Sequence, residues 1–155
     1  MKARTILASL AVFFAGLAIG LAADANPNMG TWKLNDKASK FAPGATRNTT
    51  VTYSAAPNDM IKVVTDGTDK DGKAVHTEWT GKFDGKDYPA TGETVYDSRS
   101  YTKVDANTLS MTVKKAGKVV SSGKIVVAPD GKTRTVTTQS AANAAMNNVA
   151  VYDKQ

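Results

Sequence analysis

The stretch from Gly67 to Glu78 carries the residues that most resemble a metal site. Counted as a twelve-residue calcium loop, its positions 3, 5, 6 and 12 are filled by Asp69, Asp71, Gly72 and Glu78. Position 1, where such loops carry an aspartate ligand, is Gly67, and two lysines add positive charge. Because the flanking residues have the composition of strands rather than helices, the pattern favours a solvated hairpin turn over a calcium site.

His76 is the single histidine, and the chain has no cysteine. These counts exclude a zinc site built from several imidazoles or from thiolates. A Ser–His–acid triad stays formally open, since serines are plentiful and Glu78 lies on the same strand face. No Gly-x-Ser-x-Gly elbow exists, however, and the neighbours of His76 are polar. We therefore predict no catalytic residue, no metal, no cofactor and no enzymatic activity.

The amino terminus is typical of an export signal. Lys2 and Arg4 precede an uncharged run from Thr5 to Ala23 that ends in small residues. We expect cleavage near residues 22–25, so that residues 1–25 are a signal peptide and residues 26–155 form one periplasmic or secreted bacterial domain. An uncleaved membrane anchor is the alternative, but the alanines and glycines of the run make it weakly hydrophobic. No stable membrane anchor is expected after cleavage.

The charge of the chain is positive but dispersed. Twenty lysines and arginines against 14 acidic residues give a net charge of +6, without one basic run. Such dispersion favours solubility over an anionic macromolecular partner. The nearest platform for stacking nucleic-acid bases is Arg99-Ser-Tyr101-Thr-Lys103, with Asp97 on the same face. The export signal argues against a nucleic-acid partner.

Short runs of β-branched and aromatic residues, separated by Gly, Asp, Asn and Pro, predict an all-β domain of eight to ten strands. The predicted strands are Gly30–Leu34, Asn48–Ala55, Met60–Thr65, Ala74–Asp84, Thr94–Val104, Thr108–Lys115, Lys118–Val127, Lys132–Gln139 and Asn148–Asp153, with a short one at Asp87–Ala90. The turns between them, several of them Asp-Gly pairs, are short enough for hairpins. Sequential strands are therefore expected to be antiparallel neighbours.

The period-two pattern is clearest in the fourth strand. One face carries Val75, Thr77, Trp79, Gly81 and Phe83, and the other is polar. No stretch of residues 26–155 has a convincing helical period, so the apolar face has no helix to cover it. Hairpin-length turns throughout favour an up-and-down antiparallel β-barrel over a sandwich, whose crossovers need longer loops.

Both ends of the domain resemble a known superfamily. Gly30-Thr31-Trp32-Lys33-Leu34, followed by Ser39 and Phe41, resembles the first strand of the calycins, the lipocalins and fatty-acid-binding proteins. The run from Asp130 to Thr138 resembles their penultimate hairpin, and Val149 to Lys154 the last strand of the fatty-acid-binding branch. The whole chain also resembles small exported bacterial proteins that share the GTWKL start and an Asp-Gly-Lys-Asp-Tyr-Pro motif. The resemblance implies a lipocalin-like barrel and no activity.

The resemblance also implies roles for particular residues. In calycins the first-strand tryptophan closes one end of the barrel, often under a basic side chain from a late strand, which implies Trp32 as a structural plug with Arg134 as its partner. Fatty-acid-binding proteins carry an arginine two residues before the final-strand tyrosine. That position here is Ala150, before Tyr152. A fatty-acid head group would therefore need Arg99 or Arg134 instead.

The leading hypothesis is an exported barrel that binds a small apolar or amphipathic molecule without chemistry of its own. Its candidate ligand-binding residues are Tyr53, Trp79, Phe83, Tyr96, Arg99, Met111, Arg134 and Tyr152. Ordinary core packing explains the same residues. The alternative is a protein-interaction, inhibitor or envelope-maintenance module with a filled interior, whose contact surface would be Asn35 to Thr46.

Overall fold

The computed structural model describes residues 26–92, 95–143 and 147–155. It contains ten β-strands and one short 3₁₀ helix, Asp36–Ala38. The strands are β1 Gly30–Leu34, β2 Arg47–Ala56, β3 Met60–Thr68, β4 Ala74–Gly81, β5 Tyr88–Thr91, β6 Ser98–Lys103, β7 Thr108–Lys115, β8 Lys118–Val127, β9 Thr133–Ser140 and β10 Asn147–Lys154. The expected signal peptide lies outside the described residues. Within the described ranges, no helix is long and apolar enough to cross a membrane.

The ten strands form a closed up-and-down barrel. Each strand pairs antiparallel with the next along the chain, and β1 closes the ring by pairing with both β2 and β10. At the closure, Trp32 lies opposite Val51 on one side and Lys154 on the other. The predicted all-β antiparallel barrel is thereby confirmed, and closure removes the edges that an open sheet would expose.

The tight turns lie at the segments predicted for them from the sequence. Asn58, Asp59 and Ala116 have positive φ angles, a conformation that tight hairpins demand. Strand β4 ends at Gly81 rather than at the predicted Asp84, because Asp84 starts a turn instead. Its carboxylate accepts a hydrogen bond from the Lys86 backbone at 3.1 Å, and Gly85 follows with φ +79°.

One side of the barrel interior is filled by aromatic rings, which we call the aromatic cluster: Trp79, Phe83, Tyr88 and Tyr101. The Trp79 ring lies 4.8 Å from that of Tyr101 and 5.8 Å from that of Tyr88, both edge-on. Phe83 completes the cluster at 5.5 Å from Tyr101. Such contacts add about 0.5–1.5 kcal/mol per pair beyond the burial of area. The cluster occupies space that an open barrel would leave for a ligand.

The two ends of the barrel differ. At the end where the chain enters, which we call the Trp32 end, the indole of Trp32 is completely buried and donates a hydrogen bond to the Asn28 carbonyl at 2.8 Å. At the opposite end, which we call the far end, the segment between β1 and β2 is fastened to β10. Lys40 bridges Val149, and the Ala42 amide donates to the Asn148 side chain.

Candidate functional site

Arg134 lies inside the barrel, although sequence alone left its direction open. It is 2% exposed, and its guanidinium carbon lies 4.8 Å from the ring centre of Trp32. The rings of Tyr53 and Tyr152 approach the same guanidinium at 4.9 Å each. Attraction between a desolvated cation and an aromatic face contributes about 2 kcal/mol. These contacts orient the guanidinium without neutralising its charge.

Arg99 is the second buried cation. It is 9% exposed, and its guanidinium donates hydrogen bonds to two phenol oxygens, Tyr101 at 3.2 Å and Tyr96 at 2.6 Å. The backbone around it is held as well, because the indole of Trp79 donates to the Arg99 carbonyl at 2.9 Å. Arg99 is therefore held by two phenol groups, one on its own strand β6 and one in the segment that precedes it.

Both arginines line one cavity, which we call the arginine cavity. Its volume is about 80 Å³. The lining comes from seven strands and is made up of Asn48, Val51, Tyr53, Thr65, Arg99, Tyr101, Met111, Ile125, Arg134, Val136, Thr138 and Tyr152. Several hydroxyl groups and two guanidinium groups thus face one small space together with apolar side chains.

The buried N–H groups of these arginines are not all satisfied. Nε of Arg99 and both Nε and Nη1 of Arg134 are buried without a hydrogen-bond partner. An unmet buried donor costs about 1–3 kcal/mol, and more when it is charged. Buried polar groups in native proteins are otherwise almost always paired. Apart from the side-chain oxygen of Asn28, these nitrogens are the only buried side-chain polar atoms of the described residues that have no partner.

No carboxylate compensates these two cations within the described residues. None of the aspartates or glutamates there is buried, and neither arginine takes part in an ion pair. The tyrosines do not supply the charge either. Burial raises the pKa of Tyr152 to about 12, and it raises the pKa of Tyr53 further still, although Arg134 pulls both down. Tyr53 and Tyr152 therefore stay neutral at physiological pH and do not compensate the positive charge of the cavity.

The arginine cavity has a closed floor and a more open rim. Arg134 and Tyr152 are buried toward the Trp32 end. Along β9 the inward residues become half-exposed after Arg134, at Val136 and Thr138, and Asn48 and Met111 are half-exposed too. Arg134 lies near the start of β9 at the Trp32 end, whereas Arg99 lies near the start of β6 at the far end, so the two cations reach the cavity from different ends of the barrel.

The structure brings five of the eight predicted ligand residues to this cavity: Tyr53, Arg99, Met111, Arg134 and Tyr152. The other three lie elsewhere. Trp79 and Phe83 belong to the aromatic cluster, and the Tyr96 hydroxyl accepts a hydrogen bond from the Arg99 guanidinium. The Tyr152 hydroxyl donates a hydrogen bond to the Asn48 carbonyl at 3.0 Å. In this fold the final-strand tyrosine lines the site alongside Arg134 rather than an arginine of its own strand.

The ligand-binding residues predicted from the sequence do not include Tyr101, Thr65 or Thr138, which also line the cavity. A signal for two of them was present, because residues two apart on a strand share a face. Tyr101 follows Arg99 by two, and Thr138 follows Arg134 by four. The same parity turns Arg99 and Tyr101 inward, away from the nucleic-acid platform considered for them.

The polar motifs outside the barrel have structural partners of their own. In the turn between β3 and β4, Asp69 accepts hydrogen bonds from the Asp71 and Lys73 amides, both at 2.9 Å. This is the hairpin turn that the sequence favoured. His76 lies exposed on the outer face, with Nδ1 2.7 Å from the Asp66 carboxylate and Nε2 3.6 Å from that of Glu78. Nowhere in the described ranges do three or more metal-ligating side chains converge.

No protein-family model and no curated protein matches this chain. Among solved structures, it is similar to a variant of the fluorescent protein UnaG, with 17% identity, a TM-score of 0.49, and 81% of this chain and 94% of that chain covered. It is also similar to the redesigned β-barrel mFAP1 bound to DFHBI, with 13% identity, a TM-score of 0.43, and 83% and 95% covered. The closed up-and-down barrel is established by the observed strand order.

Proposed function

We propose that this barrel binds a small amphipathic molecule whose anionic group lies against Arg99 and Arg134 in the arginine cavity. One observation supports this most strongly. Two guanidinium groups face the same cavity with N–H groups unpartnered, and no carboxylate of the described residues neutralises them. A bound anion would supply both the missing charge and the missing acceptors.

An arginine cavity without a bound anion is destabilising. Leaving a buried charge without its partner destabilises a protein by about 3–5 kcal/mol. A residue that only filled space at position 134 would not need a charge, because its neighbours Trp32, Tyr53 and Tyr152 present rings. Destabilising groups of this kind are expected where they serve binding. The pair of arginines is therefore better explained by a ligand than by packing.

The proposed function is binding without chemistry. The cavity offers no histidine, carboxylate or thiol as a base or nucleophile, and burial raises the pKa values of Tyr53 and Tyr152, so these two phenols keep their protons. The one histidine lies on the outer surface, where it contacts Asp66. The lining is suited to holding an anion in place.

We also propose that the protein acts after export, in the periplasm or outside the cell, because of the basic and apolar amino-terminal segment. The intact mass of the protein recovered from a periplasmic extract tests this. A mature chain that begins near residues 22–25 is expected. Recovery of the full-length chain from the membrane fraction would contradict it.

The binding proposal is tested with protein purified from its natural host without denaturation. Native mass spectrometry is expected to show a small adduct, which acid extraction releases for identification. Arg134→Gln and Arg99→Gln should lose the adduct. Arg47→Gln is the matched control, because Arg47 is exposed and pairs with Asp36 on the surface, and it should keep the adduct.

An empty protein calls for titration with a panel of carboxylates, phosphates and sulfonates. Tryptophan fluorescence should respond, since Trp32 stacks on Arg134. No response to any anion, or equal responses in Arg134→Gln and the wild type, would contradict the proposal. The search would then move to the Asn35–Thr46 segment as a contact surface for another protein.

A further inference from the structure

We infer that the protein has a second binding site, for a neutral sugar unit, at the Trp32 end of the barrel. The site is a cavity of about 330 Å³, which we call the Asn28 cavity. It lies between the segment that precedes β1, the turn between β6 and β7, and Phe83 in the segment between β4 and β5. It shares no lining residue with the arginine cavity, so the inference is independent of the proposed function.

Asn28 provides a buried acceptor that the described residues leave unused. The residue is 1% exposed, and its side-chain oxygen Oδ1 has no hydrogen-bond partner. The rest of Asn28 is held in place. Its carbonyl accepts a hydrogen bond from the Trp32 indole at 2.8 Å, and its side-chain Nδ2 donates to the Asn26 side chain at 3.3 Å. The amide cannot turn without losing the bond to Asn26, so a ligand with a donor group would satisfy Oδ1.

The turn between β6 and β7 adds further polar groups to the same cavity. The Asp105 carboxylate accepts a hydrogen bond from the Asn107 backbone at 2.8 Å, which holds the pKa of that carboxyl below its usual range. Asp105 is therefore a charged acceptor at neutral pH. Among the described residues, the side chains of Lys103 and Asn107 form no hydrogen bond or ion pair, so their N–H groups are available to a ligand.

This mixture of donors and acceptors suits hydroxyl groups, because each hydroxyl both donates and accepts. The distribution of charge favours a ligand without charge. Lys103 and Asp105 are exposed and opposite in sign, whereas the buried acceptor of Asn28 belongs to an uncharged amide. Exposed charges bind an ion only weakly. An ionic group deep in the cavity would lose hydration without an opposite charge to replace it.

The apolar part of the lining favours a sugar ring over an open-chain polyol. Phe83 and Leu109 both line the cavity, and the Phe83 ring is held by stacking on Trp79, with 6.4 Å between ring centres. A sugar ring presents C–H groups on its faces and hydroxyl groups around its edge. Its face can therefore pack against these apolar side chains while its hydroxyl groups meet the amides. An apolar molecule would leave Asn28 unpaired.

The volume sets the size of the ligand. A cavity of about 330 Å³ lies at the lower end of the range of about 300–1,000 Å³ for small-molecule pockets. Since one water molecule takes up about 30 Å³ in the liquid, the cavity holds roughly ten groups of that size. This is the size of one hexose. A free monosaccharide and the terminal unit of a longer glycan have the same chemistry at this site.

The test is a titration of the ¹⁵N-labelled mature protein with glucose, galactose, mannose and N-acetylglucosamine, each also as its methyl glycoside. At least one sugar should bind with a Kd of about 1 mM or lower. It should shift the side-chain amide signals of Asn28 and Asn107 and leave the Nε–H signals of Arg99 and Arg134 in place. Binding of the methyl glycoside as tightly as the free sugar would assign the site to glycan ends, and tighter binding of the free sugar would assign it to monosaccharides.

Variants test the acceptor and the turn separately. Asn28→Leu keeps the bulk of the side chain but removes the acceptor, and it should weaken sugar binding at least tenfold. Asn107→Ala should weaken it at least threefold, and it keeps the backbone hydrogen bond to Val127 that holds the turn, so it serves as the test should Asn28→Leu not fold. Asn147→Ala is the matched control, because Asn147 is an exposed asparagine at the far end.

The outcomes that would overturn the inference are distinct from those that concern the arginine cavity. If no sugar of the panel shifts the Asn28 and Asn107 signals, the site does not bind sugars. Equal affinities in Asn28→Leu, Asn107→Ala and Asn147→Ala would show that any binding occurs elsewhere. Shifts of the same signals by calcium or by free amino acids, but by no sugar, would overturn the ligand class. None of these results bears on anion binding at Arg99 and Arg134.

Discussion

At the scale of single residues, the two buried arginines decide what this barrel is suited to do. Arg134 is held between three aromatic rings, and Arg99 is held by two phenol oxygens. Both are thus positioned by neutral groups, which leaves their charge available. Buried charges are usually paired with an opposite charge, and among the described residues neither arginine has a carboxylate partner.

Replacing Arg134 by methionine should separate stability from function. Methionine keeps the packing against Trp32, Tyr53 and Tyr152 but removes the unpartnered N–H groups. We expect the free energy of unfolding of the ligand-free protein to rise by about 1 kcal/mol, as seen when buried charges are replaced by apolar groups. Urea denaturation monitored by tryptophan fluorescence measures it, and binding of the ligand should be lost.

Arg47→Met is the control for this comparison, because its exposed pair with Asp36 contributes less than about 1 kcal/mol. A loss of about 3 kcal/mol or more in ligand-free Arg134→Met would mean that the arginine is needed for the fold. That outcome would remove the main argument for an anion.

His76 supplies a second test at this scale. The hydrogen bond from His76 to Asp66 raises the pKa of the imidazole above its ordinary value, and Glu78 adds to the rise. A pKa raised in the folded state means that the contribution to stability is complete below about pH 6.5 and is lost as the pH rises through the folded value. All three side chains are exposed, so the effect on stability is small.

NMR titration of the single imidazole is the direct measurement. Asp66→Asn should lower the pKa of His76, and Glu78→Gln should lower it less, because the bond to Asp66 is the larger cause. An unchanged pKa in Asp66→Asn would show that the contact is not formed in solution.

At the scale of elements, β5 is the weakest part of the ring. It has four residues, and only two residue pairs join it to each neighbour. Pro89 at its centre has no N–H to donate. The strand is nevertheless held in place at its end, where Gly92 adopts φ +91° directly against the backbone of His76 on β4. β5 matters because its partner β6 carries Arg99.

Gly92→Ala should show how much this contact matters. An added Cβ would collide with the carbonyl oxygen of His76, and alanine is strained at this φ angle. We expect a loss of about 2–3 kcal/mol in the free energy of unfolding. Gly131→Ala is the matched control, since Gly131 also has a positive φ, +68°, but nothing within 4 Å of an added Cβ.

The control should lose only about 1 kcal/mol, the cost of the φ angle alone. Denaturant titration of both variants gives the comparison. Equal losses in the two proteins would mean that β5 moves aside without cost and does not hold β6.

At the scale of the whole molecule, the described residues contain no α-helix to cover the closed sheet, so every strand serves both as wall and as core. The inward residues of all ten strands share one lumen, so a large aromatic cluster on one side determines how much room remains on the other. A ligand that binds only the folded barrel adds to its stability, by about 2.7 kcal/mol at a hundredfold excess over Kd. We expect an anion that binds the uncompensated arginines to raise the midpoint temperature of thermal unfolding clearly.

Sequence by itself determined the strands and the class of fold. The bounds of β1, β7 and β8 follow from local alternation and turn chemistry, and the structure has them as predicted. Parity along a strand also shows that Arg99 shares a face with Tyr101, and Arg134 with Val136. These are local properties, set by the two-residue period of a strand and by the φ angles that Asp-Gly turns accept.

Only the tertiary structure decided which of the two faces lies inside and what meets there. Arg99 on β6 and Arg134 on β9 are distant in sequence, and they come to one cavity because the ring closes between β1 and β10. Likewise, the aromatic residues can be read from the sequence, but their packing cannot. Only the structure shows that Trp79, Phe83 and Tyr101 pack together and leave an arginine cavity of about 80 Å³. The physical reason is that side chains from strands far apart compete for one enclosed volume, and only closure and close packing settle which of them fill it and which line what remains.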